Sequence, residues 1–330
     1  MDRTTGVFDG LTGLRDFLNP RNNPPLPLVE LPDHLNPFRE SGVRIHAKLM
    51  YLLPLLTIKS LPALKMLLEA ESKGKLKGVH TIVENSSGNT ALSLAVLARN
   101  FGIQRVIAMV PWDIAPGKLD LLRICGVDLR LQKDYPDGPS GIEVARRSGN
   151  QPGHFSPGQY HNDANPSSYE EWVAPEIWEQ TKNKLTVFAA GLGTTGTLVG
   201  ASRYFRGQSQ PVAMVGIICR PESAVPGVRS KARLKEIGFD WQGAADCIVE
   251  AGTKESFRHS LKLCRAGLMA GPSSGFALAG LLRYLQEKRE ESSLDSLRNQ
   301  DGEVRAVFIC GDTPLPYLDK YSTHLESSDF

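Results

Sequence analysis

Four short segments of this 330-residue chain combine residue types that can do chemistry. In Gly191-Leu192-Gly193-Thr194-Thr195-Gly196-Thr197, glycines let backbone amides close on an anion and threonine hydroxyls add donors. A helix starting there would add positive potential, so the segment fits a phosphate group. The same residues satisfy the dinucleotide pattern GxGxxG, which expects an acidic partner for the ribose about twenty positions on. The next apolar run ends Ile218-Cys219-Arg220, with Glu222 only a loose match, and a plain tight turn is the third reading. In Glu84-Asn85-Ser86-Ser87-Gly88-Asn89-Thr90, hydroxyls and an amide stand before a helical stretch. Such residues cap helices, and the same exposed amides can hold a carboxylate. Capping explains one or two of them; a longer succession favours binding. Ala270-Gly271-Pro272-Ser273-Ser274-Gly275 by itself reads as a capped helix start.

Lys59, in Thr57-Ile58-Lys59-Ser60, stands at the front of a predicted helix, where the macrodipole disfavours positive charge. Such a lysine is understandable when its charge is consumed, for instance in a Schiff base. An exposed surface lysine is the commoner alternative. His154 and His161 read as surface or capping residues.

The elements that must position these segments alternate in type. Strand-like runs occupy residues 43–48, 80–84, 105–110, 127–131, 185–190, 212–219, 246–250 and 305–310. Helical stretches lie between them at 61–72, 89–100, 118–125, 141–148, 168–181, 197–205, 254–265 and 275–287. This alternation predicts an α/β fold with mainly parallel twisted sheets flanked by helices. Open sheets of that kind place ligands where strands give way to helices, which is where three of the four segments fall. Six prolines between residues 20 and 37 predict an extended, irregular lead-in. Gly, Pro, Asn and Asp crowd residues 149–166, predicting a break between two lobes near 152–166, with a second crossing near 50–54. The tail after Tyr321, rich in Ser and charge, reads as frayed.

Charge excludes some partners. Lys and Arg number 38 against 36 Asp and Glu, a net +2 that provides no global field for nucleic acid. Cys125, Cys219, Cys247, Cys264 and Cys310 show neither CxxC pairs nor metal-like spacing with histidine, and read as free thiols in a reducing compartment. Residues 1–22 carry no apolar signal stretch and no segment has eighteen uninterrupted apolar residues, so the expected address is cytoplasmic, away from membranes.

Set in order along the chain, the segments resemble the β-family (fold type II) of pyridoxal phosphate (PLP) enzymes, the cysteine synthase and cystathionine β-synthase group, over roughly residues 20 to 320. The run from Asn23 to Leu31 resembles GNTPLVxL, and Lys48-Leu49 with Pro54 and Thr57-Ile58-Lys59 resembles KLExxNPxGSxKDR. The run from Glu84 to Thr90 is similar to EPTSGNT, from Pro116 to Arg123 to PxKLxxLR, and from Gln159 to Pro166 to QFxNPANP. Residues 191–197 resemble GxGTGGT, 271–275 resemble GISSG, and Asp312 with Tyr317-Leu318 resembles PDSGxRYL.

The resemblance implies a tryptophan synthase β-like fold in two lobes: residues 1–52 plus 164–330 as a larger, phosphate-binding domain, and 53–163 as a smaller, mobile, carboxylate-binding domain. It implies that Lys59 forms the Schiff base and shuttles the Cα proton. Gly193, Thr194, Thr195, Gly196 and Thr197 would cradle the cofactor phosphate. Ser86, Ser87, Asn89 and Thr90 would hold the substrate carboxylate, with Asn89 also reaching the cofactor and Gln159 in support. Ser273 would meet the pyridine nitrogen. A neutral hydroxyl there does not hold that nitrogen protonated, which makes the ring a weak electron sink and favours direct loss of a β-leaving group.

The chain departs from the pattern beside the lysine, where Leu53 stands for Asn, Leu56 for Gly, Ser60 for Asp and Leu61 for Arg. Two leucines beside the cofactor would narrow or dry the pocket. Arg229, in Pro226-Gly227-Val228-Arg229, replaces a family glycine run and could pair with an acidic substrate, or simply belong to a solvated basic loop with Lys231 and Arg233. The expected function is PLP-dependent β-replacement on a small amino acid, an activated serine or cysteine, through an α-aminoacrylate, in a homodimer. The alternatives are a β-eliminating lyase, a PLP-binding protein with little catalysis, and the dinucleotide reading of residues 191–196.

Overall fold

Short runs rich in Val, Ile and Ala, apolar at consecutive positions, suit strands covered on both faces. All eight predicted runs form strands, and two further short strands join them. In this computed structural model, which describes residues 6–86, 88–111, 114, 116–132 and 139–330, the strands are β1 (Leu28–Glu30), β2 (Val43–Leu49), β3 (Thr81–Asn85), β4 (Arg105–Pro111), β5 (Val127–Gln132), β6 (His154–Phe155), β7 (Val187–Gly191), β8 (Ala213–Cys219), β9 (Cys247–Ala251) and β10 (Val304–Cys310). The chain divides into two units, one comprising the segment through Pro24 with Leu53–Asn165 and the other Pro25–Leu52 with Pro166–Phe330.

The smaller unit holds a parallel sheet in the order β5-β4-β3-β6. Val83, Ile107 and Met109 share one face of that sheet and pack against Ala145 of the helix Gly141–Gly149. Their neighbours Ile82, Val106 and Ala108, pointing the other way, are equally buried, so both faces are covered. Residues before Pro24 belong to this unit, not to the larger one as expected. The reason is local: Arg15 pairs with Glu71 at 3.7 Å and lies over the Phe101 ring.

The larger unit holds a six-stranded sheet in the order β1-β2-β10-β7-β8-β9, parallel except for the edge strand β1. The helix Pro272–Glu290 buries Phe276, Leu278 and Leu281 among Val187, Val215 and Phe308. On the helix Gly196–Phe205, Phe205 stacks at 5.5 Å on Phe188 of β7 and at 6.2 Å on Trp178. The predicted helix at 168–181 is two helices, Ala164–Trp172 and Ala174–Gln180, because Pro175 cannot continue the first ladder and instead opens the second. The tail is not frayed: Tyr321 and Leu325 bury against Phe257, while Glu326 and Asp329 pair with Lys254 and Arg258.

The proline-rich lead-in is pinned by a buried charge. The Lys48 side chain is fully buried, and its ammonium donates to Leu26 O, to Glu176 and to Gln180 Oε1. Glu176 also accepts from the Leu26 amide at 2.8 Å. Desolvation lowers the Lys48 pKa and Glu176 opposes that shift. Removing the carboxylate leaves an ammonium buried without its counter-charge, so Glu176→Ala should lower the unfolding free energy by about 3 kcal/mol in urea titrations.

Candidate active site

In the smaller unit, Lys59 caps the N-terminus of the helix Ser60–Ser72, and its amide donates to Thr57 Oγ1 at 3.2 Å. Ser60, where the family pattern has Asp, turns its hydroxyl back onto the Thr57 carbonyl at 2.9 Å. The turn is thus closed by hydroxyls, and buried Leu61 anchors the helix by packing. Leu53 is buried, but Leu56 is half exposed and sits at φ +54, so only one of the two leucines expected to dry the site is enclosed. Leu56 adopts the left-handed backbone conformation, which is costly for an L side chain.

The loop after β3 leads into the helix Asn89–Leu97. Buried Ser86 accepts from the Gly88 amide at 3.4 Å and the Ala91 amide at 3.2 Å, so it organises the loop from within. Asn89 and Thr90 open the helix, and Thr90 Oγ1 donates to Gln159 Oε1 at 2.7 Å. Gln159 in turn donates to the Asn85 carbonyl at 2.9 Å, as does the Tyr160 hydroxyl at 3.1 Å. The structure therefore brings Ser86, Thr90 and Gln159, distant in sequence, into one network around the first turn of a helix. Ser87 lies outside the described residues. Lys118, to which the sequence reading assigned no role, places its ammonium 3.0 Å from where a Cβ on Gly88 would sit, adding positive charge beside the loop.

Glu84, at the base of this loop, is also without an assigned role in the sequence reading. Its carboxyl is fully buried and accepts from the amides of Asn85, Gly158 and Gln159. Burial outweighs those three donors and pushes its pKa up to about 7.

The larger unit carries the other segments. Thr195, at the end of the β7 turn, is buried and adopts φ +66, again where the family pattern has glycine. Its Oγ1 is buried without a hydrogen-bond partner, and the buried Tyr169 hydroxyl lies beside Thr197. A Cβ on Gly193 would collide with the Gly227 carbonyl oxygen, and one on Gly191 would come within 2.7 Å of Val228. The opposing segment 225–229 is fastened there by the Arg229 amide donating to Leu192 O at 2.8 Å. The turn thus packs tightly on its inner side and opens directly into a helix N-terminus, an arrangement suited to an anion. The Arg229 guanidinium faces its own loop, with Nη1 3.1 Å from Arg233 O and 3.6 Å from Glu236. Ser273 lies in the first turn of the helix Pro272–Glu290 and donates to Asp312 Oδ1 at 3.3 Å.

A carboxyl whose folded pKa stands near 7 against 4.5 unfolded stabilises the fold most in its protonated form. The Glu84 contribution is therefore present below about pH 4.5 and is lost as the pH rises through about 7. Melting temperatures recorded from pH 5 to pH 8 should fall more for the wild type than for Glu84→Gln, which has no proton to lose.

Comparison with known proteins places the chain. The family model described as "Pyridoxal-phosphate dependent enzyme" matches residues 21–294. Cysteine synthase B of Escherichia coli is 31% identical over 258 residues, covering 78% of this chain and 84% of that protein. Cysteine synthase of Staphylococcus aureus is 28% identical over 288 residues, 84% of this chain and 91% of its own. Among solved structures, O-ureido-L-serine synthase superposes with a TM-score of 0.76 at 24% identity, over 92% of this chain and 93% of that one. A hydrogen sulfide-producing enzyme from Fusobacterium nucleatum gives a TM-score of 0.76 at 23% identity, over 88% and 96%; these two likenesses concern the fold. The dinucleotide reading falls away, consistent with β8 running into Arg220 and with Glu222 standing exposed. With a family model matched from residue 21 to residue 294 and a curated relative 31% identical over most of its length, the chain belongs to the family of pyridoxal phosphate-dependent enzymes.

Proposed function

We propose that this chain is a PLP-dependent enzyme that exchanges the β-substituent of a small, activated amino acid, a β-replacement of the cysteine synthase kind. The observation that carries the cofactor assignment is the turn at residues 191–197. Its donor chemistry fits a phosphate: amides of a ten-residue helix, hydroxyls on Thr194, Thr195 and Thr197, and a buried Thr195 Oγ1 with no partner of its own. A buried orphaned hydroxyl costs roughly 1–3 kcal/mol, which a phosphate oxygen would offset. Strain at a buried threonine with positive φ is likewise typical of a site held for a ligand.

The roles divide between the two units. In the larger unit, residues 193–197 hold the cofactor's phosphate and Ser273 meets its ring nitrogen. In the smaller unit, Lys59 holds the cofactor covalently through its amine and moves a proton at the substrate Cα. Lys59 stands at the N-cap position of the helix Ser60–Ser72. Ser86, Ser87, Asn89 and Thr90, with Gln159 behind them, bind and orient the substrate carboxylate through helix-terminal amides and hydroxyls. Lys118 adds attraction for the same group. Arg229 is the proposed contact for an acidic portion of a substrate; its present partners, Glu236 and a backbone carbonyl, are ones it would have to exchange. When bound, PLP supplies an electron sink for charge developing at the substrate Cα. The mobility of the smaller unit and a cytoplasmic homodimer belong to the same proposal, and the five free cysteines support the reducing compartment.

Three measurements test the reading. Protein purified with PLP should show the cofactor's visible absorbance band, and Lys59→Ala should lose it; a wild type without the band would sink the proposal. Mixing O-acetylserine with sulfide should then yield cysteine, whereas accumulation of pyruvate with no cysteine would mark elimination instead. Gly193→Ala should weaken PLP binding at least about tenfold, since displacing the backbone against Gly227 removes a hydrogen bond or more, and ~1.4 kcal/mol is tenfold in affinity.

A further inference from the structure

Glu84, near the end of β3, is buried and engaged on both carboxyl oxygens. Oε1 accepts from the Asn85 amide at 3.1 Å, and Oε2 accepts from the amides of Gly158 at 2.9 Å and Gln159 at 3.4 Å. One side chain thereby ties the start of the loop after β3 to a segment that begins 74 residues further on. Asn85 stands where the family pattern EPTSGNT has proline, and proline has no N–H to give. The bond to Oε1 is therefore one that a chain matching the pattern could not make.

Both of the segments joined in this way bear residues assigned to the substrate carboxylate. Gln159 Nε2 donates to Asn85 O at 2.9 Å and Gln159 Oε1 accepts from Thr90 Oγ1 at 2.7 Å, so each end of the side-chain amide is bonded to the loop or to the helix that it enters. The Gln159 backbone is held from two sides as well, its carbonyl accepting from Asn165 Nδ2 at 2.7 Å and its N–H donating to Glu84. Where Gln159 stands against the first turn of the helix Asn89–Leu97 thus depends on Glu84. The position calls for acceptors on two sides, because N–H groups reach both oxygens; a side-chain amide, with one acceptor oxygen, serves only one side. Burial pushes the Glu84 pKa up to about 7, which lessens negative charge beneath a loop suited to an anion.

We propose that Glu84 is a positioning residue for recognition of the substrate's α-carboxylate, gathering the amides of Asn85, Gly158 and Gln159 on one carboxyl and so setting Gln159 and Thr90 in register. This rests on the assignment of the loop 86–90 and Gln159 to that carboxylate. Glu84 acts through Gln159, and its influence is confined to binding the carboxylate; retention of the cofactor lies with the larger unit.

The test compares binding of L-serine to the holoenzyme with binding of ethanolamine, which is L-serine without its carboxylate, each followed by the change in the cofactor's visible absorbance band. Glu84→Ala should weaken L-serine binding roughly tenfold, the loss of one well-made hydrogen bond, and change ethanolamine binding by less than about twofold. Glu84→Gln, which keeps one acceptor oxygen, should show the same selective loss to a smaller degree. In a Gln159→Ala background neither substitution should add much, since the two residues act in series. Equal losses for the two ligands would overturn the inference and leave Glu84 a purely structural residue, as would undiminished L-serine binding, a wild type that binds both ligands equally, or a full further loss in the Gln159→Ala background. If Glu84→Ala does not fold, Glu84→Gln decides by the same comparison. A wild type without the absorbance band would defeat the proposed function, whereas a wild type with the band whose preference for L-serine survives both substitutions would defeat this inference alone.

Discussion

A tight strand-to-helix turn has to face its backbone donors in one direction, and the turn between β7 and the helix Gly196–Phe205 meets that constraint by closing its other side completely. Gly193 lies against the Gly227 carbonyl, Gly191 against Val228, and the Arg229 amide is tied to Leu192. With the inner side full, the first amides of the helix have no internal acceptors and must look outward. Thr195 holds the left-handed backbone that the turn demands, a strain of roughly 1–2 kcal/mol for a residue with a Cβ. Behind the turn, the Phe188 and Phe205 rings pack at a tilt of 56° with centroids 5.5 Å apart and hold the helix on the sheet.

The same physical theme recurs beside the lysine. Leu56 and Thr195 both stand where the family pattern has glycine, and both adopt positive φ. Each site thus carries a side chain on a backbone path that glycine takes most easily. For Thr195 the substitution brings a hydroxyl into a place where an anion can use it. For Leu56 the side chain emerges half exposed, and the structure provides no physical account of its benefit.

A buried carboxyl shapes the local hydrogen bonding in each unit. Glu84 stitches the loop after β3 to residues 158–159, and desolvation holds its proton into the neutral range. Asp312 plays the corresponding part in the larger unit, receiving hydroxyls from Tyr317 and Ser273.

Strand and helix runs, their α/β alternation and the places where chemistry could occur were legible in the sequence, because periodicity and turn residues are local properties. The eight main strands and the turns at 86–90 and 191–197 fell where local pattern put them. The short strands β1 and β6 did not register, since two or three residues carry no period. The tail was misjudged because its order comes from Tyr321 and Leu325 finding Phe257, a contact across more than sixty residues that composition cannot reveal. Family likeness in the sequence named Lys59, Thr90, Gln159 and Ser273. Only the tertiary structure joined Thr90 to Gln159 and turned the hydroxyl of Ser273 toward Asp312, because hydrogen-bond direction depends on which partner the fold places within reach.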